Sequence, residues 1–525
     1  MKACSCENNS IILIEYIKGQ LIAYSKIVCI TFLFMFVAHS FAWYNLHFVH
    51  DSVDIMGYNY YPNAVSLGRW GTFIATPFAG TPILPWYFAI LSILAWSLVF
   101  FVVFYAFSIP FYYQILFIGV FSTGIKFIVQ NAAHIEMLGW ESVFIIFIII
   151  PLLLIKRGKR IWLHVAISIS SCIALATIQQ NIELVIGFLL IHMFVEVTSK
   201  DVSWKDYFKQ GISYIVDVIV GGMLYIGGLL AAIKFTDTTI VTDHASGIGS
   251  LQNVTFKEYI IRILCIYKHS LSVFLRRDSY LNGAVRIINA LFIFFTFISI
   301  VLWIISCNKN IKKILQGGII LFLIPIGFDC VYVFAAHHMY SLNEYPVLFL
   351  YLVPVVLVNS YKDAKIIKNS AVLNRAKLII IGCACILIVH NIRFANVMYL
   401  KEKLVYDHST ACLQTIWEDM MRTEGYEAGI TPIAFIGNTY DSLLKYNGFL
   451  GENYEDVMPY DVVVSYQWNW KSYYEVIKGT PINLVVDTAY LEENNAVRNM
   501  PCYPLKGYCE MIDDTLVVKV SNTYE

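Results

Sequence analysis

Eleven apolar runs, each close to the roughly twenty residues a helix needs to cross a hydrocarbon core, follow one another before residue 400. They lie near 21–42, 83–107, 111–130, 139–155, 161–178, 182–198, 211–233, 284–306, 315–335, 345–360 and 378–399. Backbone in lipid has to satisfy its own N–H and C=O groups, so each run is expected as a helix. Composition agrees. Of 525 residues, 58% are hydrophobic and 14% charged, with a mean hydropathy of +0.64, whereas a soluble chain is about a quarter charged. The 37 basic and 37 acidic residues cancel. That excludes the cationic surplus of a general nucleic-acid surface, and no nucleic-acid partner is expected.

The short basic loops orient the runs. Lys156, Arg157, Lys159 and Arg160 form one cluster, and Lys200, Lys205 and Lys209 a second. Lys309, Lys312 and Lys313 form a third, and Lys362, Lys365, Lys368, Arg375 and Lys377 a fourth. All four fall on one side, while the opposite short loops at 131–138, 179–182 and 336–344 contain no Lys or Arg. By the positive-inside rule the clusters are cytoplasmic. The N-terminus is then inside, and the loops 43–82 and 234–283 and the tail from about 400 are outside. The first twenty residues lack an apolar core ending in a small-residue cleavage site, so the first run is expected to remain as an anchor.

Within the second outward loop, 256–277 places Ile260, Ile261, Leu264, Leu271 and Phe274 at near-helical spacing among Lys and Arg. This predicts a basic amphipathic helix, lying in the interface or packing on the bundle. The tail changes character. TPIAFIG (431–437), YDVVVSY (460–466), NLVVD (483–487) and TLVVKV (515–520) are short β-rich runs separated by stretches of helical length. The fold class is therefore an α-helical polytopic membrane protein with about eleven spans (1–399) and a small extracytoplasmic α/β domain (400–525). Cys502 and Cys509 flank PLKGY in that tail. Outside a cell they are either a disulfide or two free thiols.

The first outward loop holds the most chemistry. Asp51 and Asp54 directly follow the first run, three apart, on one face of a helical turn. A carboxylate there suits a general base that takes a proton from a sugar hydroxyl, and such a turn is also common as solvated structure. Downstream comes Ser66-Leu67-Gly68-Arg69-Trp70. Arg69 suits paired hydrogen bonds to a lipid phosphate, with Trp70 at headgroup level, although both residue types also serve as interfacial anchors. Other polar residues gather near the outward ends: Lys126, Gln130, Asn131, His134 and Glu136; Gln179, Gln180, Asn181 and Glu183; and His337, His338, Tyr340, Asn343 and Glu344. Arg276 and Arg277, ending the amphipathic stretch, suit a donor phosphate or lipid headgroups.

A pair of acids after the first span, followed by a Gly-Arg-Trp turn, resembles the bacterial type II glucosyltransferase family, which modifies O-antigens and related surface glycans. The general plan of about ten spans and an outward C-terminal domain is similar as well. The resemblance implies a GT-C-like architecture, a polyprenyl-phosphate sugar as donor and a cell-surface glycan as acceptor. It also implies a bacterial inner or plasma membrane location, among membrane lipids. One of Asp51 and Asp54 would be the catalytic base, and His50, Arg69, Trp70, Gln130, Glu136, Gln180, Arg276 and Arg277 would bind substrate. The family pattern has adjacent acids, whereas Ser52 and Val53 separate these two; Asp51 is favoured because His50-Asp51 lies nearest the membrane edge. A monophosphate donor does not imply a metal, no Cys/His cluster has zinc spacing, and no nucleotide-binding loop occurs, so no cofactor is expected. The competing expectations are a transporter or flippase for lipid-linked sugars, a surface-glycan polymerase, and an acyltransferase. Lys126, Asp217 and Asp329 within spans would serve transport, and His134, His164 or His192 acyl transfer.

Overall fold

The computed structural model describes residues 3–45, 60–73, 75, 84–124, 135–157, 160–240, 255–275, 283–307, 309–335, 344–361, 371–437 and 467–522. Among these, seven helices are long and apolar enough to cross a membrane, and four shorter apolar helices lie between them at Phe111–Ser122, Glu141–Ile155, Ile161–Thr177 and Tyr345–Ser360. Every apolar run read from the sequence overlaps one of these helices, although 125–130 lies outside the described residues and the run 315–335 breaks after Phe328. In chain order the helices are α1 (Ala3–Tyr44), α2 (Tyr60–Ser66), α3 (Pro85–Phe107), α4 (Phe111–Ser122), α5 (Ile135–Ile148), α6 (Ile150–Arg157), α7 (Arg160–Thr177) and α8 (Asn181–Ser199). They continue with α9 (Trp204–Thr236), α10 (Phe256–Leu275), α11 (Gly283–Ser306), α12 (Ile311–Phe328), α13 (Tyr332–Ala335), a 3-10 stretch (Tyr345–Tyr351) leading into α14 (Leu352–Tyr361), and α15 (Ala371–Arg422).

Helix ends follow local chemistry. Ser108, with a φ of 53°, closes α3, and two residues later Pro110 is the N-cap of α4. Ser203 caps α9 by accepting the Asp206 N–H through its hydroxyl at 3.1 Å, and Asn310 caps α12 by accepting the Lys313 N–H at 3.1 Å. Helices one apart in the chain run parallel and pack together, α7 along α9 and α3 along α5, whereas α8 packs antiparallel to α12. Trp96, Phe121, Phe188 and Phe349 meet at ring-centroid distances of 4.8–4.9 Å in the middle of the bundle. Outward, α9 exposes Ile212, Ile215, Ile219, Met223 and Leu230, each at least half exposed. Such a stripe is untenable in water and ordinary in lipid.

The last apolar run does not stop near residue 400. Helix α15 continues unbroken to Arg422 and changes from uniformly apolar to amphipathic. Leu413, Ile416 and Met420, at helical spacing, are fully buried against a sheet of β1 (Pro432–Ile436), β2 (Asn483–Leu484), β3 (Cys509–Ile512) and β4 (Thr515–Lys519). Among the described residues the strand order is β2-β1-β4-β3, with β1 parallel to β2 and β4, and β3 antiparallel to β4. Three of the four expected strand runs are found, shortened to two residues at 483–484; the fourth, 460–466, lies outside the described residues. Strand β3 was not expected, and Cys502 and Cys509 are free thiols.

Candidate functional site

The basic segments 200–209 and 309–313 lie together at one end of the bundle, the basic end, where α7 and α9 begin. The candidate site forms at the opposite, distal end, where α7, α9 and α12 finish and α8 and α14 begin. Its centre is the imidazole of His269 on α10. Nδ1–H donates to Asp329 Oδ2 at 2.8 Å and Nε2–H to Glu344 Oε1 at 3.0 Å. Tyr332 stacks on the ring at 4.4 Å. The side chains of His269, Asp329 and Glu344 are 12%, 0% and 8% exposed, so the group is shielded from water. Burial alone pulls the imidazole down, but the hydrogen bonds and charges of the two carboxylates outweigh it and raise His269 to about 9. The ring is a held imidazolium, with neither nitrogen free to act as a base.

A third acid stands behind these two. Glu183, fully buried in the first turn of α8, accepts the Val331 N–H at 2.8 Å, where the chain breaks between α12 and α13. Ser270 donates to Asp329 Oδ2 at 2.8 Å. Among the described residues no donor reaches Glu183 Oε2 or Asp329 Oδ1. Among the described residues these two oxygens are the ones that an added proton or a hydroxyl donor would satisfy. Beside it, the Tyr345 hydroxyl hydrogen-bonds Glu141 and Asn181, all three buried.

The turn 178–183 joins this cluster to the segment 67–71. Gln179 Nε2 donates to Leu67 O at 3.1 Å, and Gly71 N–H to Ala176 O at 2.7 Å. Trp70 Nε1–H donates to Tyr225 O at 3.1 Å, and the Tyr225 hydroxyl donates to Gly68 O at 3.1 Å. Gly68 is required there: its φ is +80°, and a Cβ would come 2.6 Å from the Tyr225 oxygen. Trp70 is therefore packed on α9. Arg69 is half-buried, and its Nε meets no acceptor among the described residues. Gln180 is buried in the same turn.

Of the other sequence candidates, His50, Asp51, Asp54, Gln130, Arg276 and Arg277 lie outside the described residues. Glu136 falls in the first turn of α5. His164 and His192 sit toward the basic end, His164 Nδ1 at 2.7 Å from Asp217 Oδ2 and His192 Nδ1 at 3.3 Å from the Tyr214 hydroxyl. His269, Tyr345 and Glu141 are the residues the sequence reading did not single out. Glu141 had a signal, as a lone acid in the apolar run at 139–155. Helix α10 also differs in its faces. Of the expected stripe, Ile260, Ile261, Leu264 and Leu271 are exposed and Phe274 packs inward, together with Ile266, Ser270 and Val273.

Between α10, α11, α12 and α14 runs a largely apolar groove of about 540 Å³, walled by Leu271, Phe292, Phe297, Ile324 and Leu350. Ser270 lies on its wall and donates to Asp329, so the carboxylates sit directly behind that wall. Comparisons with known protein families, with characterised proteins and with solved structures returned no match.

Proposed function

We propose that the chain is an eleven-span, GT-C-like membrane glycosyltransferase. It moves a hexose, glucose by the family resemblance, from a polyprenyl-phosphate donor to a cell-surface polysaccharide on the extracytoplasmic face. The observation that carries this is the turn 178–183. It ties the loop bearing the acids and Arg69 to a buried cluster of carboxylates, amides and a tyrosine, the groups that recognise sugar hydroxyls. By the positive-inside rule that end faces outward.

In the proposed step Asp51 or Asp54 removes the acceptor hydroxyl proton. The oxygen forms a bond to the anomeric carbon as the bond to the polyprenyl phosphate oxygen breaks, and the phosphate leaves with the electron pair. Arg69 stabilises the negative charge on that leaving phosphate. The groove beside Ser270 suits the isoprenoid chain, and the free oxygens of Glu183 and Asp329 suit hydroxyl donors of the sugar.

The test is mass spectrometry of surface glycans from cells carrying wild-type protein or the variants Asp51→Asn, Asp54→Asn and Arg69→Gln, each checked for membrane insertion. Loss of the base should lower transfer by about 10²–10⁴-fold. Full glycosylation in both aspartate variants would overturn the assigned base. A second reading, movement of lipid-linked sugars between leaflets, draws on the same buried ionisable cluster; it requires sugar-lipid to cross liposome membranes without being consumed.

A further inference from the structure

A second groove lies toward the other end of the bundle and plays no part in the proposed transfer. It is about 420 Å³ in volume, runs between α8, α9 and α12, and has almost wholly apolar walls that include Leu189, Met193, Ile212, Ile215 and Ile319. Ile212, Ile215 and Ile319 are 60%, 61% and 42% exposed, so the groove opens sideways into the surrounding medium rather than into the bundle. Gly211 forms part of the wall, and a Cβ there would meet only Met193 Cε, at an ordinary 3.6 Å. The dent therefore has room beside α9.

Its basic end is charged. On α9 the residues Lys205, Phe208, Ile212, Ile215 and Ile219 follow one another at three- and four-residue steps, so Lys205 heads the stripe that walls the groove. On α12, Lys312 heads the corresponding stripe through Ile319 and Leu323. Lys200 closes α8. Lys312 holds Asp201 at 2.7 Å and Lys200 holds Glu196 at 3.0 Å, both as exposed ion pairs of little strength. With Lys209 and Lys313 added, the lysines at this end outnumber Glu196, Asp201 and Asp206.

We infer that this groove is a binding site for one anionic phospholipid, its acyl chain along Gly211 and Ile215 and its phosphate among Lys205, Lys312 and Lys200. Uniformly apolar walls exclude a sugar or a nucleotide, the lateral opening admits a chain from the bilayer, and the lysine surplus selects a negative head. The site is distinct from the groove beside Ser270, which lies toward the distal end.

The experiment uses the full-length protein in detergent, titrated separately with phosphatidylglycerol and with phosphatidylcholine of identical acyl chains, and reads retained lipid by native mass spectrometry. Wild type should keep one phosphatidylglycerol in clear preference to phosphatidylcholine. The double variant Lys205→Gln/Lys312→Gln should lose about fivefold of phosphatidylglycerol retention per lysine, with phosphatidylcholine unchanged. Gly211→Leu, which fills the dent while favouring the helix, should lose both lipids, with its melting temperature reporting that the fold stands. The lysine variant, altered only at helix ends, decides the matter if Gly211→Leu proves unstable. Equal retention of the two lipids by wild type, or undiminished phosphatidylglycerol retention in the lysine variant, would overturn the site.

Discussion

At the scale of single residues, His269 ties three parts of the chain together. It joins α10 to the end of α12 through Asp329 and to the entry of α14 through Glu344. Its folded value of about 9 lies above the ordinary 6.5. The stability it contributes is therefore complete below pH 6.5 and is lost as pH rises through 9, amounting to about 3 kcal/mol. Thermal unfolding of detergent-solubilised protein should show the apparent melting temperature falling between pH 6.5 and 9.5, and falling less in His269→Gln. An equal fall in both would remove His269 as the cause. Tyr345→Phe leaves buried Glu141 and Asn181 without their shared hydroxyl, and should cost about 1–3 kcal/mol. The same unfolding assay at pH 7 checks it.

At the scale of elements, the β3–β4 hairpin turns through Asp513 and Asp514, with φ of 49° and 61°. Both angles are left-handed, which a two-residue hairpin requires and glycine adopts most readily. Asp514→Gly should therefore stabilise the tail by up to about 1 kcal/mol, read from urea unfolding of the full chain by tail tryptophan fluorescence. This hairpin also shows what the sequence carried and what it did not. TLVVKV was legible as a strand because β4 is buried along its whole length. CEMI (509–512) carries a charge and no β-branched run, and it becomes a strand only because β4 supplies the ladder. The helices were legible because length and apolarity alone demand them in lipid. The inward face of α10 was not, since in a membrane the exposed face is as apolar as the packed one. The site was partly legible. Gln180, Glu183 and Glu344 were marked as polar residues at helix ends, but their union with Glu141, His269 and Asp329 joins positions far apart in sequence, which no local pattern encodes.

At the scale of the whole molecule, the bundle has two unlike ends. The basic segments 200–209 and 309–313 lie at one, and the buried carboxylates with the docked Arg69 turn lie at the other. Helix α15 runs from the bundle directly into the sheet of the tail, so tail and carboxylates should share a side. Single-cysteine labelling in intact cells, on a background free of the native cysteines, should modify a tail position such as Lys506 from outside. A position in the 309–313 loop should react only after permeabilisation; the reverse pattern would invert the orientation. The proposed transfer of a hexose from a lipid carrier at the distal end is tested by supplying purified protein in liposomes with radiolabelled polyprenyl-phosphate hexose and surface polysaccharide as acceptor. Label should pass to the polysaccharide with wild type and fail to pass when Asp51 and Asp54 are both asparagine. Label that stays on the lipid with wild type, with every candidate hexose supplied, would contradict the account.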